Sequence, residues 1–414
     1  MEEASITLLI KGNDRPKRTP RQAVGMPPSL TDASVLAGLE SKTTFLKFLQ
    51  FLKPLCWGWK LRTLKQMVER FADESGWSLV ITPRWRHEYA KLHESAIPKR
   101  IHQLLSLKNG KEAAPTWTTE EIFDTVTDVY EELGVTAMPQ CVWTYDAVDV
   151  ELPEPPKKRR PEGVIGEETP EHVTAMCASS ASGSLIPTAL LFKGVRIAAE
   201  WKSRLSDVDQ ENVALLVNNS GLCDPLTLSK WLKTVFLKKV QIRPVVLILS
   251  SVYCQPEYYG FIRTAFDEQI HIVAVPPKLT SVRLPFATNL HAAFQNAWYE
   301  GLDEELLKSP AVPLSRAQVV EAVMPAHKFF LGDALVNAFR DCGLFPVSPH
   351  VAAQGKIELP VAEDEDMVEI TLLQPPSPET QEAIAEALAL FARAGVSEIR
   401  AKRLLRNMDV PGIY

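Results

Sequence analysis

Seven residues, VVLILSS at Val245–Ser251, constrain the fold of this chain more than any other stretch. They are apolar at both parities, so as a strand they need cover on both faces, and such a strand belongs inside a sheet with helices packed on it. The flanking segments supply helices. Upstream, DPLTLSKWLKTVFLKK starts on Asp224 as N-cap with Pro225 in its first turn, and it ends on lysines that suit the negative end of the helix dipole. Downstream, the pattern predicts a helix through Glu257–Phe266, a strand HIVAV, and a helix around Leu290–Tyr299.

The rest of the sheet is expected just before this region. At Cys141 the apolar period changes from helical to strand-like, giving VWTYDAVDV, HVTAMCASS and LIPTALLFKG, with SASG as the turn between the last two. Three antiparallel strands follow from that pattern. The resulting order, βββ-α-β-α-β-α, predicts an α/β class with a ribonuclease-H-like mixed sheet and flanking helices. A small all-helical domain precedes it. In LRTLKQMVERFADESG, Leu64, Met67, Val68 and Phe71 recur at helical spacing before Gly76. Trp85, Tyr89 and Leu92 do so after Pro83. TWTTEEIFDTVTDVYEELGV adds an amphipathic helix with Thr119 as its expected N-cap and Gly134 as its terminator. Beyond the sheet, SRAQVVEAVMPAHKFF and LGDALVNAFRDCG read as two covering helices, the second with an apolar stripe of Leu335, Val336 and Phe339.

These patterns divide the chain into a basic, disordered arm at 1–28, a helical unit at 29–105, the sheet domain at 106–348, an acidic and proline-containing linker at 349–376, and a helical tail at 377–414. A length of 414 residues with 46% hydrophobic and 23% charged side chains gives ample core. No apolar run approaches the roughly 20 residues that cross a bilayer, and the polar, basic start argues against secretion. Six scattered cysteines without a CxxC pair read as free thiols, and no metal is assigned to them. A net charge of −6 argues against a surface that is a polyanion site throughout. Phosphate-binding glycine loops and nucleophile elbows are absent, and the histidines of HEYAKLH, His87 and His93, are six apart rather than the four a zinc helix requires.

Four segments carry a resemblance: VTAMCASSASGSLIPTALLFKG, NNSGLCDPLTLSKWLKTVF, RPVVLILSS, and VAVPPKLTSVRLPFATNLHAAFQNAW, with FRDCGLFPVSP closing the domain. In order and spacing, over residues 140–348, they resemble the catalytic domain of pogo/Tigger/Jerky-type transposases, the centromere-protein-B-like branch of the DDE superfamily. MVERFADESGWSLVITPRWRHEYAKLH is similar to the second helix-turn-helix of that family's DNA-binding region. The first helix-turn-helix is not recognisable in this sequence.

The resemblance implies a metal chemistry and shows where to look for it. Two divalent cations held by three carboxylates activate water or a 3′-hydroxyl and stabilise the leaving oxygen of a phosphodiester, and they require hard anionic oxygens. The first acid falls on Asp146, with Ala147 after it. The second falls on Ser250 and the third on Ala287. A degenerate triad of Asp146, Ser250 and Ala287 predicts a domesticated protein without transposase or endonuclease activity and without a cofactor. Asp149, three residues from Asp146, is expected on the opposite strand face. For DNA contact the reading names Arg84, Arg86 and Lys91, weighed against an ordinary charged helix face over a core of Trp85 and Tyr89. Lys157, Lys158, Arg159 and Arg160 form a nuclear-import candidate, weighed against a solvated hairpin loop. The implied location is the nucleus, and the implied partners are double-stranded DNA, nuclear proteins and a second copy in a homodimer, with no membrane. Two other readings stay open: an active metal-dependent endonuclease with relocated acids, and a protein-interaction module without DNA binding.

Overall fold

The computed structural model describes residues 43–76, 81–107, 118–152, 172–276, 282–308, 314–329, 333–354, 385–390 and 393. Five helices come first: α1 (43–51), α2 (Leu61–Glu74), α3 (Pro83–Leu92), α4 (Lys99–Ser106) and α5 (Thr119–Leu133). Strands β1 (Val142–Glu151), β2 (His172–Ser180) and β3 (Thr188–Lys193) follow, then a short α6 (Asp207–Glu211) and β4 (Val213–Asn218). Helix α7 (Pro225–Trp231) continues through a π turn (Leu232–Phe236) into α8 (Leu237–Lys239). Next come β5 (Val245–Ser250), α9 (Tyr259–Asp267) and β6 (Ile270–Val275). A second π turn (Phe286–Leu290) leads into α10 (His291–Lys308). Last are α11 (Arg316–Ala322), α12 (Met324–Phe329), α13 (Asp333–Asp341) and α14 (Pro349–Gln354). The class is mixed α/β with ribonuclease-H-like order. None of the described helices is long and apolar enough to cross a membrane.

The chain forms two compact units. One holds Met1–Thr136 with Arg243–Thr280, the other Ala137–Ile242 with Ser281–Tyr414. In the second unit, β1 pairs antiparallel with β2, β2 antiparallel with β3, and β3 parallel with β4. Successive residues of β1 point to opposite faces. Val148 and Val150, with Val173, Ala175, Leu190 and Phe192 from the neighbouring strands, bury one face against Phe294, Trp298 and Leu302 of α10 and Val319 and Val320 of α11. The other face meets α7 and its π turn: the Tyr145 ring lies 4.6 Å from Trp231, and Trp143 lies 5.6 Å from Phe236.

In the first unit, β5 and β6 pair in parallel, and β5 is buried from Val245 to Leu249. An aromatic core holds the helices: Phe48 of α1 stacks on Phe71 of α2 at 4.0 Å, and Phe266 of α9 meets Phe48 edge-on at 5.3 Å.

Local chemistry explains most boundaries and several departures from the sequence reading. Asp224 caps α7 by accepting from Thr227 N, and Gly134, at φ 68°, ends α5 in the left-handed region that glycine adopts freely. The cap of α5 is Thr118 rather than Thr119, because Thr118 forms a capping box with Glu121. SRAQVVEAVMPAHKFF is two helices, not one. Pro325 brings no N–H and collides with the preceding turn, so the first helix stops at Ala322 and the second restarts at Met324. On α13 the buried stripe is Leu335, Ala338 and Phe339, while Val336 is 36% exposed. The sequence pattern did not show α6, a single turn capped by Ser206. All six cysteines are free. The basic arm, Lys157–Arg160, the acidic run at 363–366 and the basic tail lie outside the described residues.

Candidate functional site

Within the second unit, β1 and α10 build the site. Asp146 stands on the β1 face that turns to α10. Its Oδ1 accepts from Ala147 N at 2.9 Å, and its Oδ2 lies 3.9 Å from Nδ1 of His291 at the start of α10. That separation is longer than a hydrogen bond, so the contact is a charge contact between a carboxylate and an imidazole. Asp146, against the opposing effect of burial, raises the His291 pKa above its ordinary 6.5.

His291 is the first of three polar residues that fasten α10 along β1. Four residues on, Gln295 Nε2 donates to Asp149 O at 2.8 Å. Four further, the Tyr299 hydroxyl accepts from Glu151 N at 3.3 Å. Side chains at i, i+4 and i+8 share one helical face, so the helix meets the strand as a row. Asp149 itself lies on the other strand face, as its spacing from Asp146 predicts. There the Thr174 hydroxyl donates to Asp149 Oδ1 at 2.5 Å and lies 3.0 Å from Gly221 O. Asp149 therefore cannot serve as a second carboxylate beside Asp146.

Ala287 sits in the π turn four residues before His291, exposed, and its N donates to Leu284 O at 2.9 Å. Ser250 belongs to the other unit. It ends β5 half-buried, and its Oγ accepts from Val252 N at 3.5 Å, capping the next turn.

Residues 170–335 match the family described as DDE superfamily endonuclease. The match covers the strands and helices from β2 to the start of α13. Ser250 and Ala287 lie inside the matched residues, and Asp146 precedes them. Solved structures with some likeness include three mariner-type assemblies. A "Mos1 transposase paired-end complex with left transposon end" is 12% identical over 81% of this chain and 82% of that chain, with a TM-score of 0.30. The "mariner Mos1 paired end complex with Mg" is 11% identical over 80% and 84%, at 0.28. The corresponding complex with Mn is 10% identical over 80% and 82%, at 0.29. A comparison with curated proteins gives no match.

The side chains at the three positions that the resemblance assigns to the metal-binding acids do not fit a two-metal centre. Two dications need several anionic oxygens. Asp146 supplies one carboxylate, already facing an imidazole; Ala287 supplies a methyl group; Ser250 supplies a neutral hydroxyl engaged in a turn. Among the described residues, no group of three or more His, Cys, Asp or Glu gathers to hold a metal.

Helix α3 divides its three cations among different tasks. Arg86 is buried and its Nη1 donates to the carbonyls of Leu105 and Leu107, both at 3.3 Å, closing the end of α4. It is turned inward, away from any phosphate. Arg84 is exposed and pairs with Glu88 at 2.7 Å, while Lys91 is exposed. Trp85 and Tyr89 stack at 4.7 Å and meet Phe45, so the apolar face of α3 belongs to the core.

Sequence reasoning missed His291, Gln295 and Tyr299. Their four-residue spacing was a readable signal for a shared helix face.

Proposed function

We propose that this protein keeps the scaffold of a pogo/Tigger/Jerky-type transposase without its cutting chemistry, and acts in the nucleus as a DNA-binding or scaffolding protein. One observation carries the loss of activity: the Asp146 carboxylate faces His291, and the other two acid positions hold Ser250 and Ala287. When protonated, His291 offers Asp146 a positive partner from within the chain and repels a dication approaching the same oxygen. The nuclear part of the reading draws on Lys157–Arg160, a compact cation cluster flanked by prolines.

Incubating the purified full chain with supercoiled plasmid in Mg²⁺ or Mn²⁺ tests the chemistry. The expected outcome is no nicking or joining above the level of the Asp146→Ala variant. Cutting that disappears in Asp146→Ala would overturn the reading in favour of an endonuclease with relocated acids. A protein-interaction module without a DNA role is the second reading, and the inward turn of Arg86 favours it. A DNA affinity independent of salt would support that alternative.

A further inference from the structure

The helix running from α7 through its π turn into α8 carries Lys230, Lys233, Lys238 and Lys239, all exposed. From Pro225 to Val240 it has no acidic residue. Among the described residues none of the four lysines makes an ion pair or a side-chain hydrogen bond, in a chain whose net charge is −6. The lysines near the end also suit the helix dipole, but that accounts only for the last turn and leaves Lys230 and Lys233 unexplained.

The π turn decides how the lysines are arranged. A regular α-helix turns by about 100° per residue, which would set Lys238 about 80° away from Lys230 and about 140° from Lys233. The π turn at Leu232–Phe236 accommodates one extra residue and turns the following segment back by roughly that same 100°. Lys238 then returns to within about 20° of Lys230, with Lys233 on one side and Lys239 on the other. The opposite side is buried, with Leu228, Trp231, Leu232, Val235 and Phe236 packed inward.

We infer that Lys230, Lys233, Lys238 and Lys239 form a contact surface for the phosphate backbone of duplex DNA, separate from α3. This rests on the DNA-binding part of the proposed function and locates it on the DDE domain. Duplex DNA presents one charge per about 1.7 Å of axis, so a lysine row spanning about 13 Å of helix meets several phosphates. Lysine is a point charge without the fork geometry that reads a base edge, so the contact is independent of sequence. A bilayer is the poorer fit, because the apolar face of this helix is spent in the core and Leu226 alone is left to insert.

The experiment measures anisotropy of a fluorescein-labelled duplex of arbitrary sequence with the full chain over a salt series. The variant is Lys230→Gln, Lys233→Gln, Lys238→Gln and Lys239→Gln combined, with an unchanged melting temperature as the check on folding. At low salt the variant should lose at least about tenfold in affinity, and its log–log salt slope should fall by about 3. Should the fourfold variant not fold, Lys230→Gln with Lys233→Gln should give about half that change in slope. Affinity and slope equal to those of the unsubstituted chain would overturn the inference. So would loss of binding to phosphatidylserine vesicles with DNA binding intact. DNA binding by the unsubstituted chain that survives the fourfold change would leave the DNA-binding reading standing without this surface, whereas no DNA binding by the unsubstituted chain would overturn both. The plasmid assay reports on catalysis independently.

Discussion

At the scale of single residues, His291 gives Asp146 a partner within the chain. A half-buried carboxylate gains from a nearby positive charge, and His291, 3.9 Å away, supplies one when protonated. The sign of the effect follows from the raised pKa. His291 stays protonated in the fold to higher pH than in the unfolded chain. The pair's contribution is therefore fully present below the ordinary value of 6.5 and is lost as pH rises through the folded value. Asp146→Asn removes the main cause, so an NMR titration of the His291 ring protons should show its midpoint move down toward the ordinary histidine value. A midpoint unchanged by the substitution would show that Asp146 does not control it. Asp146, Ser250 and Ala287 are singled out by resemblance alone. The His291 contact was not legible in the sequence, because it joins residues 146 and 291, and no local pattern says which strand a helix face will meet. Arg86 shows the opposite limit: its charge was visible, but its burial under α4 depends on where residues 105 and 107 fold.

At the scale of elements, caps and breakers were the most readable part, since Asp224, Pro225 and Gly134 act on their immediate neighbours. The short α6 was not, because one turn is too brief to establish a period. The close approach of α10 to α11 was hidden as well. Gly301 on α10 lies so near Ala322 that an added Cβ would stand 2.2 Å from the Ala322 carbonyl oxygen, and a backbone atom cannot swing aside. Beside it Glu305, 2% exposed, is held by Arg204 at 2.7 Å and Lys308 at 3.0 Å. Gly301 is needed there for space, not for backbone freedom. Gly301→Ala should therefore destabilise the fold by about 1–3 kcal/mol, as overpacking does, despite alanine's better helix propensity. Urea unfolding monitored by circular dichroism measures this, and an equal or higher midpoint would show that the two helices can separate without cost.

At the scale of the whole molecule, a covered central strand and a run of paired strands were enough to give the α/β class, because both signals are local periodicities. Their grouping into two units was not readable, since each unit draws on two separate chain segments. The proposed function requires that these side chains be unable to hold the metals of DDE chemistry. Any ligand that binds the folded state alone must raise its melting temperature by mass action. The most direct measurement is thermal unfolding of the full chain with and without about 1 mM Mn²⁺, alongside Asp146→Ala. The account predicts the same melting temperature in both conditions for both proteins; a rise with Mn²⁺ in the unsubstituted chain that Asp146→Ala abolishes would contradict it.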